Sequence, residues 1–192
     1  IPPGTEQSAV IESAKRWRES GGRVEVVPVC PSGRVDMAAL EKALASGDVG
    51  LVSIMWANNE TGVIAPMREI VQMAHAVGAL VHSDAVQAVG KIAVNVQDVP
   101  VDFLSLSGHK IHAPKGIGGL YVSRRVRFRA LLVGGGQEMN RRSGTENVAG
   151  IVALGAAMDG MAQSIQDDIT HRAVIQDELE KARQRAEEAT HA

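Results

Sequence analysis

The sequence predicts an α/β fold with a mostly parallel sheet covered by helices. Three observations predict it. Apolar strand-like runs alternate with helical patterns of about 10 to 14 residues. The runs are continuously apolar rather than alternating, as strands buried on both faces are. Hydrophobic residues make up 45% of the chain, yet only two Trp, two Phe and one Tyr are present. The core must therefore come from Val, Ile, Leu, Ala and Met.

In chain order, Val10, Ile11, Ala14 and Trp17 stand near helical spacing within residues 6–19, and Gly21-Gly22 end the pattern. Val24 to Val29 reads as a short strand. A turn at Pro31-Ser32-Gly33 leads to a helix from Asp36, a good N-cap, to Ala45. Leu51 to Trp56 is a buried strand by its unbroken apolar character. Pro66 stands at a first helical position, Met67, Ile70, Val71, Ala74 and Val77 keep the helical period, and Gly78 closes the helix. Strands follow at Ala79 to His82, Val101 to Leu106 and Gly119 to Val122. From Thr145 onward the pattern is helical, with a break expected at Gln166-Asp167-Asp168. On the last helix Ile175, Leu179, Ala182, Ala186 and Ala189 form a narrow apolar stripe, suited to packing on a further domain more than to a coiled coil.

Composition narrows the function classes. Twenty basic residues against 22 acidic ones leave a net charge of −2 over 192 residues, so neither nucleic acid nor a membrane surface is an expected partner. No run approaches the roughly 20 apolar residues of a membrane span. The single Cys30 excludes an intrachain disulfide framework and suits a reducing, cytoplasmic compartment. The chain opens on Ile1-Pro2-Pro3 without an initiator Met or signal pattern, and its last helix has no Gly or Pro stop. Further chain is expected on both sides.

Ligands in open parallel sheets sit beyond the carboxyl ends of strands. Three such ends are unusually polar: Asn58-Asn59-Glu60-Thr61-Gly62, Ser83-Asp84-Ala85-Val86-Gln87 and Ser107-Gly108-His109-Lys110. An amine at a buried strand end is a candidate for Schiff-base chemistry, which singles out Lys110. Lys115, between Pro114 and Gly116, competes but reads as loop. A carboxylate on a neighbouring strand, Asp84, suits a pyridinium nitrogen of the kind pyridoxal phosphate carries. Ser107 and His109 offer donors to a phosphate, and Gln87 and Asn59 to a phenolic oxygen. His109 with His112, or His82 with Asp84, have ligand chemistry, but no Cys or helical His-Glu pair accompanies them and no metal is expected.

The segments Asn58 to Gly62, Asp84 to Lys91, Ser107 to Lys110 with Pro114 to Gly118, and Arg142-Ser143-Gly144-Thr145-Glu146-Asn147 together resemble cysteine desulfurases of the NifS/IscS type, class V aminotransferase relatives with a fold-type I pyridoxal phosphate fold. The resemblance covers nearly the whole chain. It implies that Lys110 binds the cofactor covalently and then moves protons, that Asp84 pairs with the ring nitrogen, and that Gln87 contacts the ring oxygen with Asn59 nearby. Ser107 and His109 would hold the phosphate. Thr145 would reach the phosphate of the partner subunit in a homodimer. The implied activity takes sulfur from L-cysteine, yields L-alanine and an enzyme persulfide, and supplies a sulfur-acceptor protein in iron-sulfur or thiolation pathways. Residues 1–160 would be the cofactor-binding large domain, incomplete at its N-terminus, and 161–192 a helical segment leading to a small domain.

Two departures qualify the match. The family stacks a histidine on the ring in a stretch similar to Glu6-Gln7-Ser8-Ala9-Val10, and Gln7 stands there, a group that does not titrate near neutrality. The family's persulfide cysteine and substrate-binding arginine lie beyond this chain's end, as its phosphate loop lies before the start. Cys30, in a Val-Cys-Pro turn, reads as structural, and Arg141-Arg142 as a solvated pair, an anion site or a dimer contact. The isolated segment is expected to be inactive. The alternatives are a related pyridoxal phosphate lyase or aminotransferase without a cysteine nucleophile, and a non-catalytic dimerising fragment.

Overall fold

The computed structural model describes residues 1–190. Helices α1 (Ser8–Glu19) and α2 (Met37–Leu44) precede strand β1 (Leu51–Ser53); α3 (Met67–Ala76) leads to β2 (Leu80–Asp84), followed by β3 (Phe103–Ser107) and β4 (Gly118–Val122). A small hairpin, β5 (Gly136–Gln137) and β6 (Arg142–Ser143), and the long helix α4 (Val148–Thr190) complete the chain. The main sheet has the order β1-β2-β3-β4. Strands β1, β2 and β3 run parallel, and β4 is antiparallel. This agrees with the mostly parallel sheet the sequence predicts. The antiparallel turn has a simple cause: only ten residues separate Ser107 from Gly118, too few for a crossover helix.

The starts of α2 and α3 follow their local chemistry. Asp36 caps α2 by accepting from the Ala39 backbone N–H at 3.0 Å. Pro66 precedes α3, whose buried Met67, Ile70, Val71 and Ala74 form the predicted apolar stripe, while Val77, also expected in it, is exposed at the C-cap. That stripe meets the sheet face of Val52, Val81 and Ser83, where the Ser83 hydroxyl also donates to the Ile54 carbonyl at 2.8 Å. Leu40, Ile54, Ile70, Val81 and Val101 lie at the centre of this core.

Three expectations need correction. Val24 to Val29 does not form a strand: it makes single bridges, Val27 to Pro3 and Val29 to Val35. Pro2 and Pro3 have no N–H to extend the ladder beyond the bonds of Val27 N to Pro2 O and Gly4 N to Val27 O. The break at 166–168 is absent, because α4 runs through it; without Gly or Pro, two acids do not stop a helix. Coverage of the sheet is unequal. Helix α1 has no buried residue and stands across a cavity of about 800 Å³ from the sheet face carrying Ser53, His82 and Ser105. Of the predicted stripe on α4, Ile175 and Leu179 are exposed, and Ala182, Ala186 and Ala189 lie outside the described side chains. No helix among the described residues is long and apolar enough to cross a membrane.

Candidate active site

The three polar segments emerge at the same end of the sheet because β1, β2 and β3 are parallel neighbours. After β1 the chain keeps following β2: Ile54 N donates to His82 O at 3.0 Å and Trp56 N to Asp84 O at 2.8 Å. Asn58 then folds the next residues into a turn. Its side-chain oxygen accepts from Glu60 N and Thr61 N, both at 2.9 Å, and Gly62 adopts a φ of 71°. Asn59 is left exposed at the tip, where it accepts from Gln7 Nε2 at 2.6 Å.

Asp84 is the last residue of β2 and is 7% exposed. One of its oxygens accepts from Val86 N at 3.0 Å. Three residues on from Asp84, the side-chain oxygen of Gln87 accepts from Lys91 Nζ at 2.7 Å. Among the described residues its amide nitrogen makes no hydrogen bond, so it is a free donor. Lys91 has a pKa held below the ordinary lysine range, by burial and then by the charge of Lys110. Gln87, Lys91 and Lys110 therefore share one neighbourhood.

Beyond β3 the chain makes a 3₁₀ turn, Gly108–Lys110, that places Lys110 at the strand end. Glycine is required at its start, since a Cβ on Gly108 would meet the Ile117 carbonyl oxygen at 2.9 Å and its Cγ2 at 2.8 Å. Ser107 Oγ lies 2.8 Å from His109 Nδ1, pairing the two groups expected at a phosphate. Lys115 sits in the following loop and is exposed. Thr145 stands apart from these residues, exposed in the loop between β6 and α4. Cys30 is exposed on the turn joining Val29 and Val35.

One buried group, Glu6, escaped the sequence reading of the site, and a second, His82, takes a different place from the one weighed for it. Glu6 is buried, with one oxygen accepting from Met55 N at 2.7 Å and the other from Gln7 N at 3.2 Å. Burial chiefly, aided by the charge of Asp84, pushes its pKa up to about 7. Nothing in its sequence context signals burial. His82 has a different role from the metal ligand weighed for it: its Nδ1 lies 2.7 Å from Ser53 Oγ and its Nε2 3.2 Å from Ser105 Oγ. Burial lowers its pKa, against an opposing pull from Asp84. No cluster of three or more metal-ligating side chains occurs among the described residues.

The large cavity and the chemistry do not coincide. Asp84 lines the cavity between α1 and the sheet, whereas Lys110, Gln87, Ser107, His109 and Asn59 do not. Asp84 and the Ser107–Lys110 turn leave the ends of the neighbouring parallel strands β2 and β3, where open parallel sheets hold their ligands.

Comparison with known proteins gives a consistent picture. The aminotransferase class-V family model matches residues 3–189. "Cysteine desulfurase 2" of Trichormus variabilis is 49% identical over 181 residues, covering 94% of this chain and 45% of that protein. "Cysteine desulfurase" of Gluconacetobacter diazotrophicus is 51% identical over 167 residues, covering 86% of this chain and 42% of the relative. A solved structure described as a NifS-like protein superposes with a TM-score of 0.83 at 42% identity, covering 87% of this chain and 46% of that one. The chain thus spans less than half the length of the relatives it matches. With the family model matching nearly end to end on a mostly parallel α/β sheet, the chain belongs to the aminotransferase class-V family.

Proposed function

We propose that this chain is the cofactor-binding portion of a cysteine desulfurase, which removes sulfur from L-cysteine and leaves L-alanine. The observation that carries the reading is the convergence of a buried carboxylate, Asp84, and the Ser107-Gly108-His109-Lys110 turn from the ends of adjacent parallel strands. Similarity to the proteins named above supports it.

The donor set fits pyridoxal phosphate. When bound, that cofactor supplies an aldehyde for covalent attachment and a ring that withdraws electrons from the substrate. Asp84 holds a proton on the ring nitrogen, its low exposure strengthening the pairing. The free amide of Gln87 donates to the ring oxygen, with Asn59 beside it. Ser107 and His109 bind the phosphate. Lys110 would hold the cofactor through its side-chain amine, and the same amine would serve as the group that moves protons to and from the substrate. Gln7 covers the ring face without exchanging protons. Cys30, on an exposed turn, is not the sulfur acceptor in this reading.

The working unit in this reading is a homodimer, with Thr145 on the partner's phosphate. Support comes from apolar side chains around the β5–β6 hairpin: Leu131 is 93% exposed, Val133 85% and Met139 80%. Residues 1–160 act as the large domain, and 161–192 lead toward a small one. The enzyme is cytoplasmic and passes sulfur to an acceptor protein of iron-sulfur or thiolation pathways. In the full-length protein loaded with pyridoxal phosphate, Lys110→Ala is expected to remove the visible absorbance band and alanine release from L-cysteine. A band that survives this substitution overturns the proposal.

A further inference from the structure

Three consecutive residues before α1 are each fastened to the segment leaving β1. The Thr5 carbonyl accepts from Asn58 Nδ2 at 3.0 Å, Glu6 Oε2 from Met55 N at 2.7 Å, and Gln7 Nε2 donates to Asn59 Oδ1 at 2.6 Å. Glu6 Oε1 also accepts from the backbone N–H of Gln7 at 3.2 Å. The carboxylate therefore grips two backbone donors at once, one on each side of the clasp.

Two local choices run against stability. Gln7 is the N-cap residue of α1 yet makes no cap hydrogen bond, because its amide is turned to Asn59. Glu6 is an acid at 8% exposure beside a second acid, Asp84. Such conflicts between local preference and fold concentrate at functional positions. An acid is nevertheless the residue type the geometry demands: a carboxylate has two acceptor oxygens and serves both N–H groups, whereas an amide side chain has one.

We propose that Glu6 is a positioning residue that sets Gln7 over the cofactor ring by clamping the Gln7 and Met55 backbone N–H groups with a single carboxylate. This rests on the cofactor reading above. Glu6 touches no reacting atom; it acts through Gln7, whose side chain is then held between its own anchored backbone and Asn59.

The test is a double-mutant cycle on the full-length enzyme, with pyridoxal phosphate affinity measured by titrating the apoenzyme and following the visible band. At a pH above 7, where the acid is ionised, Glu6→Gln is expected to weaken binding about tenfold, the worth of one hydrogen bond to a charged group. Combined with Gln7→Ala, it is expected to add almost nothing, since its effect passes through Gln7. Unchanged affinity in Glu6→Gln, or full additivity with Gln7→Ala, overturns the inference. Should Glu6→Gln fail to fold, Glu6→Asp decides: its shorter reach is expected to give the same loss and the same non-additivity, and unchanged affinity again refutes it. Absence of any Lys110-dependent band in the unsubstituted enzyme sinks the cofactor reading instead.

Discussion

Asp102 offers a strong test of what holds the sheet together, at the end of the strands remote from Asp84. It precedes β3, has no exposed surface, and accepts from Val81 N at 2.8 Å and Arg125 Nε at 2.8 Å. His75 Nε2, on α3, lies 2.9 Å from Oδ2, the oxygen that also accepts from Val81 N, while Arg125 is on Oδ1. One carboxylate thus ties β2, α3 and the segment after β4 together. Asp102→Ala leaves the Val81 N–H without its acceptor inside the protein, which costs about 1–3 kcal/mol. It also unpairs Arg125, whose side chain is 51% exposed and regains water, so the upper range for breaking buried pairs does not apply. A loss of about 3 kcal/mol is expected in urea unfolding, with the denaturant slope unchanged. Asp102→Asn keeps one acceptor and should lose about half as much. A loss below about 1 kcal/mol for Asp102→Ala would refute the view that this carboxylate organises the strand ends.

Further expectations concern pH and close packing. Because the Glu6 pKa is raised from 4.5 to about 7, the folded state binds the extra proton, so its contribution to stability is full below 4.5 and is lost as pH rises to about 7. Glu6→Gln should flatten that slope in unfolding curves, and an unchanged slope counts against the burial of the acid. The lowered pKa of His82 has the opposite sign: stability falls as pH drops below 6.5, because the unfolded imidazole takes the proton first. Unfolding of His82→Gln should show less acid sensitivity there. Gly90→Ala is expected to cost about 1–3 kcal/mol in denaturant unfolding, since φ is +78° and a Cβ would meet Met161 Sδ at 2.7 Å and Ile111 Cγ2 at 2.9 Å. Gly108→Ala should shift the visible band of the loaded enzyme by displacing the turn that carries Lys110.

Much of the fold was legible because its signals are local. Asp36 before α2 and the Met67-Ile70-Val71-Ala74 stripe of α3 declare themselves in the sequence by capping and period. The segment from Val24 to Val29 misled because strand identity depends on a partner, and its partner here is a pair of prolines. The antiparallel direction of β4 is written in the short loop before it. At the proposed site, Asp84, Gln87 and Lys110 stand out in the sequence by their placement after apolar runs. Glu6 was not, since an acid among polar neighbours gives no hint that folding removes it from water. Its signal lies in the contact with Met55, a residue far away in sequence.

The Ser53–His82–Ser105 string has a consequence for assembly of the sheet. Hydroxyl, imidazole and hydroxyl meet across three strands only in one alignment. A slip of β2 by a single position would turn the ring of His82 into the oily layer among Val52 and Leu104 and strand two alcohols on the opposite side. The string is a mechanical key that pins β2 to a single register against both of its neighbours.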